Sequence, residues 1–374
     1  MAPTEVLAQQ HHRTFSELLE PLGVRVELLS GSMTAKRKAE VRARAESGET
    51  GVLIGTQALI QKSSVVKNAG LVIVDEQHRF GVAQRAALAE KGAAPHILAM
   101  SATPIPRTLA LIVYGDLEVS VLNEMPRGRL PVKTYAVDST FRQRVYNFIK
   151  KHIAAGRQAY IVCPLVENSE GKSEKASAIE YYNGLVNGDF RDIPTGLLYG
   201  KLKQSEKDRV MAEFKSGSLK LLVSTTVIEV GIDVPNAVVM LIENAEQFGL
   251  SQLHQLRGRV GRGSEQSFCI LMSDSRSEYT KARTDVMVRT TDGFEIARED
   301  LRLRGPGNFF GREQHGLPPL KVADIADDSA VLEEVDRLAG EILRADPTLS
   351  DEKSRMLRSN VERLFGTNGN YSWN

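Results

Sequence analysis

The sequence predicts an α/β protein built on two parallel sheets, each covered on both faces by helices. Three observations carry this expectation. Short runs rich in Val, Ile and Leu recur between helical patterns, at residues 24–29, 51–54, 71–74, 96–100, 158–163, 196–198, 219–223, 238–242 and 268–272. These runs lack a polar alternate face, as strands buried on both sides do. The alternation breaks at Met125-Pro126-Arg127-Gly128-Arg129-Leu130-Pro131, where two prolines and a glycine leave no hydrophobic period.

In chain order, the first four runs form a sheet domain over residues 1–124, and residues 125–134 are the linker. The remaining five runs form a second sheet domain over 135–276, with a polar surface loop near 167–177. From Ser277 onward the strand signals stop, and helical patterns separated by Gly/Pro clusters occupy 277–320 and the tail 321–374. A chain of 374 residues has room for two or three domains at roughly 100–200 residues each.

The longest stretch free of Asp, Glu, Lys and Arg, 92–106, contains Pro95, Pro104 and Pro106 and cannot be a continuous spanning helix. Met1-Ala2-Pro3-Thr4-Glu5 has neither the basic start nor the apolar core of a secretory signal. Cys163 and Cys269 each sit inside an apolar run, which suits buried free thiols in a reducing compartment. The net charge of +1 argues at first against a nucleic-acid partner. Residues 321–374, however, carry 7 basic and 11 acidic groups, which leaves +5 on residues 1–320. Within that part, Lys36, Arg37, Lys38, Arg42 and Arg44 crowd one helical pattern, and Arg257, Arg259 and Arg262 fall in a stretch without acids, 247–264. Both clusters are candidate phosphate-facing surfaces. The first fits equally well a solvated face relieved by Glu40 and Glu46.

Leu71-Val72-Ile73-Val74-Asp75-Glu76-Gln77-His78 places two carboxylates at the carboxyl end of a buried strand, where open α/β sheets bind ligands. In a nucleotide hydrolase the first acid would hold Mg²⁺ through its water shell and the second would take a proton from the attacking water. A strand running into a helix cap looks the same. Ser101-Ala102-Thr103 repeats the geometry, either bridging to a neighbouring domain or satisfying helix amides. Gln255-Leu256-Arg257-Gly258-Arg259-Val260-Gly261-Arg262 is more specific, because arginines spaced by glycines suit a polyphosphate approached across a cleft.

Taken together and in this order, Asp75-Glu76-Gln77-His78, Ser101-Ala102-Thr103, the run 225–235 and the run 255–262 resemble motifs II, III, V and VI of superfamily 2 helicases. Ala2-Pro3-Thr4 and Gly55-Thr56-Gln57-Ala58-Leu59-Ile60 resemble motifs Ia and Ib. The segments 75–82 and 253–263, followed by Asp292-Gly293-Phe294-Glu295-Ile296-Ala297, 300–307 and Gln314-His315-Gly316, are similar to the RecG family of branched-DNA translocases and its translocation motif. Tyr199-Gly200-Lys201 departs from the His-Gly-Arg or His-Gly-Lys usual there.

The resemblance implies two RecA-like motor domains, the first incomplete, followed by a helical hairpin and a helical tail. It implies ATP and Mg²⁺ as cofactors, with Asp75 orienting the metal through water, Glu76 activating water, and Arg259, Arg262 and Gln255 acting from the second domain. Gly231 and Asp233 would position the ribose. Gln77, His78, Ser101 and Thr103 would couple closure to a DNA surface that includes Thr4, Gly31, Thr56 and Thr225, and Arg283, Arg304 and Gln314 would convert closure into movement. The implied partners are branched duplex DNA and a single-stranded DNA-binding protein at forks. The implied setting is a bacterial cytoplasm, at the nucleoid, with the chain acting as a monomer in recombination and repair.

The family's phosphate loop G-x-x-x-x-G-K-[ST] is absent from the sequence. Gly171-Lys172-Ser173 has Val166 where the first glycine would stand. Hydrolysis by this chain is therefore expected to be absent or weak, and the first domain incompletely packed. A transcription-repair coupling translocase of the Mfd type and a non-catalytic duplex-DNA-binding module are the competing expectations.

Overall fold

The computed structural model describes residues 1–60, 66, 69–77, 80, 95–101, 120–122, 124, 128–164, 174–225, 234–304 and 329–365. The chain divides into two compact units, 1–103 with 125–291, and 104–124 with 292–374. Both sheet lobes lie in the first unit.

The amino-terminal lobe begins with α1 (Glu5–Leu19), capped by Thr4, whose hydroxyl accepts from the Leu7 amide. It leads into β1 (Val26–Leu29), then α2 (Ala35–Ser47), which starts on a Thr34 cap and ends at Gly48 with φ 85°. Strand β2 (Val52–Gly55) pairs in parallel with β1, and β3 (Leu71–Val74) pairs in parallel with β4 (His96–Ala99). The first two residues bridge these two pairs. The Met1 amino group donates to the Ile73 carbonyl at 2.5 Å, the Ala2 amide to Gly55 at 2.9 Å, and the Asp75 amide to Met1 at 3.0 Å. Burial lowers the pKa of that amino group although Asp75 acts to raise it. Leu29, Val41, Leu59, Val74 and Phe80 form one small core, and Ala2, Leu7, Ala8, Val26 and Ile54 another.

The second lobe is a six-stranded parallel sheet in the order β5-β10-β9-β6-β8-β7, built from β5 (Lys133–Val137), β6 (Gln158–Val162), β7 (Thr195–Leu198), β8 (Leu221–Ser224), β9 (Ala237–Ile242) and β10 (Phe268–Met272). Strand β5 is the addition to the expected set. It begins two residues inside the stretch assigned to the linker and carries an exposed edge. The connecting helices are α3 (Arg142–Ala154), α4 (Glu174–Asn187), α5 (Gln204–Lys215) and α6 (Leu250–Arg257). Ile149, Ile161, Phe190, Leu221, Val223 and Leu241 are buried in one continuous core. Here β6, β8 and β9 are buried at every residue, which explains why they read as unbroken apolar runs.

Helix α7 (Glu278–Arg289) packs against β5 and α6 and closes this unit. The second unit contains α8 (Gly293–Arg304), α9 (Ser329–Ala345) and α10 (Arg355–Phe365). No described helix is long and apolar enough to cross a membrane.

Candidate functional site

Two carboxylates from the first lobe and four polar side chains from the second line one cleft of about 250 Å³. Its walls are Leu7, Gln10, Asp75 and Glu76 on one side and His254, Gln255, Gly258, Arg259 and Arg262 on the other. Strand β3 delivers the acids. Asp75 follows its last residue, and the Asp75 Oδ2 lies 2.9 Å from His11 Nε2 on α1. Oδ1 accepts the Glu76 amide at 2.9 Å. The His11 bond holds the Asp75 carboxyl below its ordinary pKa, against the opposing effect of burial. Glu76 has φ 49°, a left-handed conformation that costs a non-glycine residue about 1 kcal/mol and is concentrated at functional turns. Gln77 is buried, its amide bonded to Met100 at 2.9 Å, and its Oε1 has no partner among the described residues.

Helix α6 delivers the opposite wall. Leu250, Leu253 and Leu256 bury its apolar side, and the chain then turns through Gly258 into the arginine run. Arg259 is 8% exposed, and Arg262 Nε donates to the Gly258 carbonyl at 3.1 Å. Gly261 has φ 75°, and a Cβ there would lie 2.6 Å from the Val132 side chain. Both facts favour glycine at this position.

The third arginine of the run behaves differently. Arg257 turns away from the cleft and donates to the carbonyls of Met287 and Thr290 at 2.9 and 2.8 Å. It is 3% exposed, so its place among the phosphate-facing arginines is corrected to a structural one. Its spacing carried the signal, since 250, 253 and 257 share the buried side of a helix. The basic cluster on α2 splits in the same way. Arg44 pairs with the buried Glu27 through two nitrogens, at 2.6 and 3.2 Å, and Arg37 pairs with Glu40 at 3.3 Å. Lys38 and Arg42 instead line a second cavity of about 480 Å³ with Gly31, Thr56, Gln57, Ala58 and Ile60. Lys38 donates to the Gly31 carbonyl at 2.7 Å.

The structure thus brings Gly31 and Thr56 together, while Thr4 caps α1. Thr225 is buried, and its hydroxyl has no partner among the described residues. Ser101 follows β4 and is half-buried. Arg283 on α7 is 9% exposed and donates to the Glu246 carbonyl at 3.3 Å. His78, Thr103, Gly231, Asp233 and Gln314 lie outside the described residues, as does the side chain of Arg304, which ends α8. His11 and Gln10 were not singled out from sequence. The signal was that 4, 7 and 11 share one side of α1.

The chain is similar to known helicases in sequence and fold. Residues 1–112 match the DEAD/DEAH box helicase family, 142–264 the helicase conserved C-terminal domain, and 290–373 the C-terminal part of domain 3 of the ATP-dependent DNA helicase RecG. The chain is 49% identical to RecG of Bacillus subtilis over 96% of its own length and 53% of that protein. It is 48% identical to RecG of Synechocystis over 98% of its length and 44% of that protein. A solved structure of RecG bound to a three-way DNA junction superposes with a TM-score of 0.69 at 47% identity, covering 89% of this chain and 43% of that one. The Mycobacterium smegmatis helicase Lhr bound to single-stranded DNA and AMP-PNP, at 17% identity and a TM-score of 0.56 over 78% of this chain and 42% of that one, shares the fold. The chain is therefore similar in sequence to the RecG helicases over nearly its whole length, resembles the solved RecG structure in fold, and spans about half the length of the curated relatives it matches.

Proposed function

We propose that this chain is the motor portion of an ATP-dependent translocase acting on branched duplex DNA, of the kind found at stalled forks and Holliday junctions. One observation carries the reading: carboxylates from one lobe face guanidinium groups from the other across a single cleft. Walls of opposite sign fit Mg-ATP, which presents a cation and anionic oxygens together. ATP supplies the transferable phosphoryl group when bound.

The remaining roles belong to the chain. Asp75, already fixed by His11 and ionised, would hold the metal's water shell, as Mg²⁺ sites of one or two carboxylates do. Glu76, turned by its left-handed backbone, would accept a proton from the attacking water. Arg259 and Arg262 would meet charge developing on the phosphoryl oxygens, with Gln255 beside them. Gly31, Lys38, Arg42 and Thr56 would take the DNA backbone, where cations and exposed amides meet phosphates.

The decisive measurement is equilibrium binding of a fluorescent ATP analogue and of a three-way junction to this chain, with and without Arg259→Ala. Saturable binding of both, with the analogue weakened by the substitution, is expected. Absence of junction binding at low salt overturns the reading. Since the sequence contains no phosphate loop, turnover by the chain is expected to be weak, and robust DNA-stimulated hydrolysis lost in Glu76→Gln would overturn that part alone.

A further inference from the structure

Helices α6 and α7 are stitched together by two guanidinium groups running in opposite directions. Arg257, in the last turn of α6, donates Nη1 to Met287 and Thr290 at the carboxyl end of α7. Arg283, on α7, donates Nη2 to Glu246, in the turn ahead of α6, and its guanidinium carbon lies 5.2 Å from the Tyr279 ring centroid. Carbonyls at a helix end lack an intrahelical donor and carry the negative end of the dipole, so one fixed guanidinium satisfies two of them at once.

Stability alone does not account for Arg257. Burial lowers its pKa, and among the described residues its Nη2 has no partner. A buried cation with an unsatisfied nitrogen is commonly less stabilising than an apolar side chain of the same volume. What Arg257 offers is directional linkage between two places of consequence. Gln255 and Arg259, two residues to either side, line the cleft. Thr290 lies one residue before Thr291, where the motor unit ends and the chain passes to the segment containing α8.

We infer that Arg257 is a positioning residue through which the arginine-bearing turn and the exit of the motor unit move as one body, so that displacement of Arg259 is delivered to residue 290. The inference rests on the nucleotide reading of the cleft. It adds a residue that touches neither nucleotide nor DNA.

Hydrogen–deuterium exchange by mass spectrometry on the full chain tests it, with Arg257→Lys, which keeps the charge but cannot span both carbonyls, and Arg257→Met, which keeps the volume. Without nucleotide, both variants are expected to exchange about tenfold faster over 287–291, with β6 and β9 unchanged. With a non-hydrolysable Mg-ATP analogue, the wild-type chain gains protection over 255–262 and 287–291 together. In Arg257→Met it gains protection over 255–262 only. Loss of protection spreading through β6 and β9, or a variant whose two segments still respond together, overturns the inference. Wild-type protection at 255–262 without any at 287–291 overturns it while leaving the nucleotide reading intact. No protection at 255–262 in the wild type sinks the nucleotide reading and the inference with it.

Discussion

Strands β6, β8 and β9 of the second lobe are buried at every residue, whereas β4 of the first lobe exposes His96, Ile97 and Leu98, and Leu71 at the start of β3 is 57% exposed. The arginine wall of the cleft therefore stands on a continuous core. The carboxylate wall is held by local polar tethers: His11 to Asp75, the Gln77 amide to Met100, and the Met1 peptide between β2 and β3. Packing gives a wall that is already in place, and tethers give one that can be shifted at small cost. Under the function proposed above both are of use, because charge stabilisation wants fixed donors while coupling to DNA wants an element that moves.

The largest effect is expected where the second lobe buries charge. Glu243, at the end of β9, is 2% exposed and accepts from Arg142 at 2.5 Å and from the Tyr181 hydroxyl at 2.9 Å. Among the described residues, Arg142→Ala leaves this buried carboxylate with the phenol alone, and should cost about 3 kcal/mol or more. Glu243→Gln should cost less, since the Arg142 side chain is 37% exposed and can rehydrate. Urea unfolding followed by probes in each lobe is expected to show the loss in the second-lobe transition alone. Equal losses from the two substitutions would break the contrast between the lobes.

Leu29→Ala asks the same question of the first lobe. Leu29 is fully buried, and among the described residues its core contains only a handful of side chains, so a loss of about 2–3 kcal/mol is expected, near the low end for such truncations. The transition that shifts should be the earlier of two. A single cooperative transition in the wild-type chain would show that the lobes are not energetically distinct.

Much of this contrast was legible in the sequence, for a physical reason. Doubly buried strands have no alternation to confuse, and β10 was read residue for residue; so was β3, whose apolar run is unbroken although Leu71 is exposed. Strand β5 was missed because it lies at the sheet edge, with Lys133 and Tyr135 exposed, directly after two prolines that ended the preceding pattern. The arginines show the other limit. Composition treats Arg257, Arg259 and Arg262 alike, yet the first ends α6 and faces Met287 while the other two lie past the helix end and face a cleft. Likewise Lys38 and Arg42 share a face that Arg44, three residues from the buried Val41, does not.

A milder effect tests that division of the α2 cluster. If Lys38 and Arg42 meet phosphates and Arg37 does not, the double substitution Lys38→Ala, Arg42→Ala should lower the slope of log affinity against log salt for duplex DNA by about 1.8, at about 0.9 per phosphate contact. Arg37→Ala should leave it unchanged within error. Fluorescence anisotropy over a salt series measures both, and equal effects would restore the reading of α2 as one undivided basic face.

The smallest effect is an absence of reaction. Burial pushes the Cys163 thiol up to about 11 and the Cys269 thiol up to about 12, so at pH 8 both are protonated and sheltered. Thiolate is the reactive form, and the folded second lobe should leave a disulfide reagent nearly unchanged for hours. Raising the pH toward 10 should quicken Cys163 before Cys269, in the order of the two values. Because both thiols lie in or beside the six-stranded sheet, urea that unfolds only the first lobe should not release them. Labelling that accompanies the earlier transition would mean that the core under the arginine wall opens together with the tethers that hold the carboxylates.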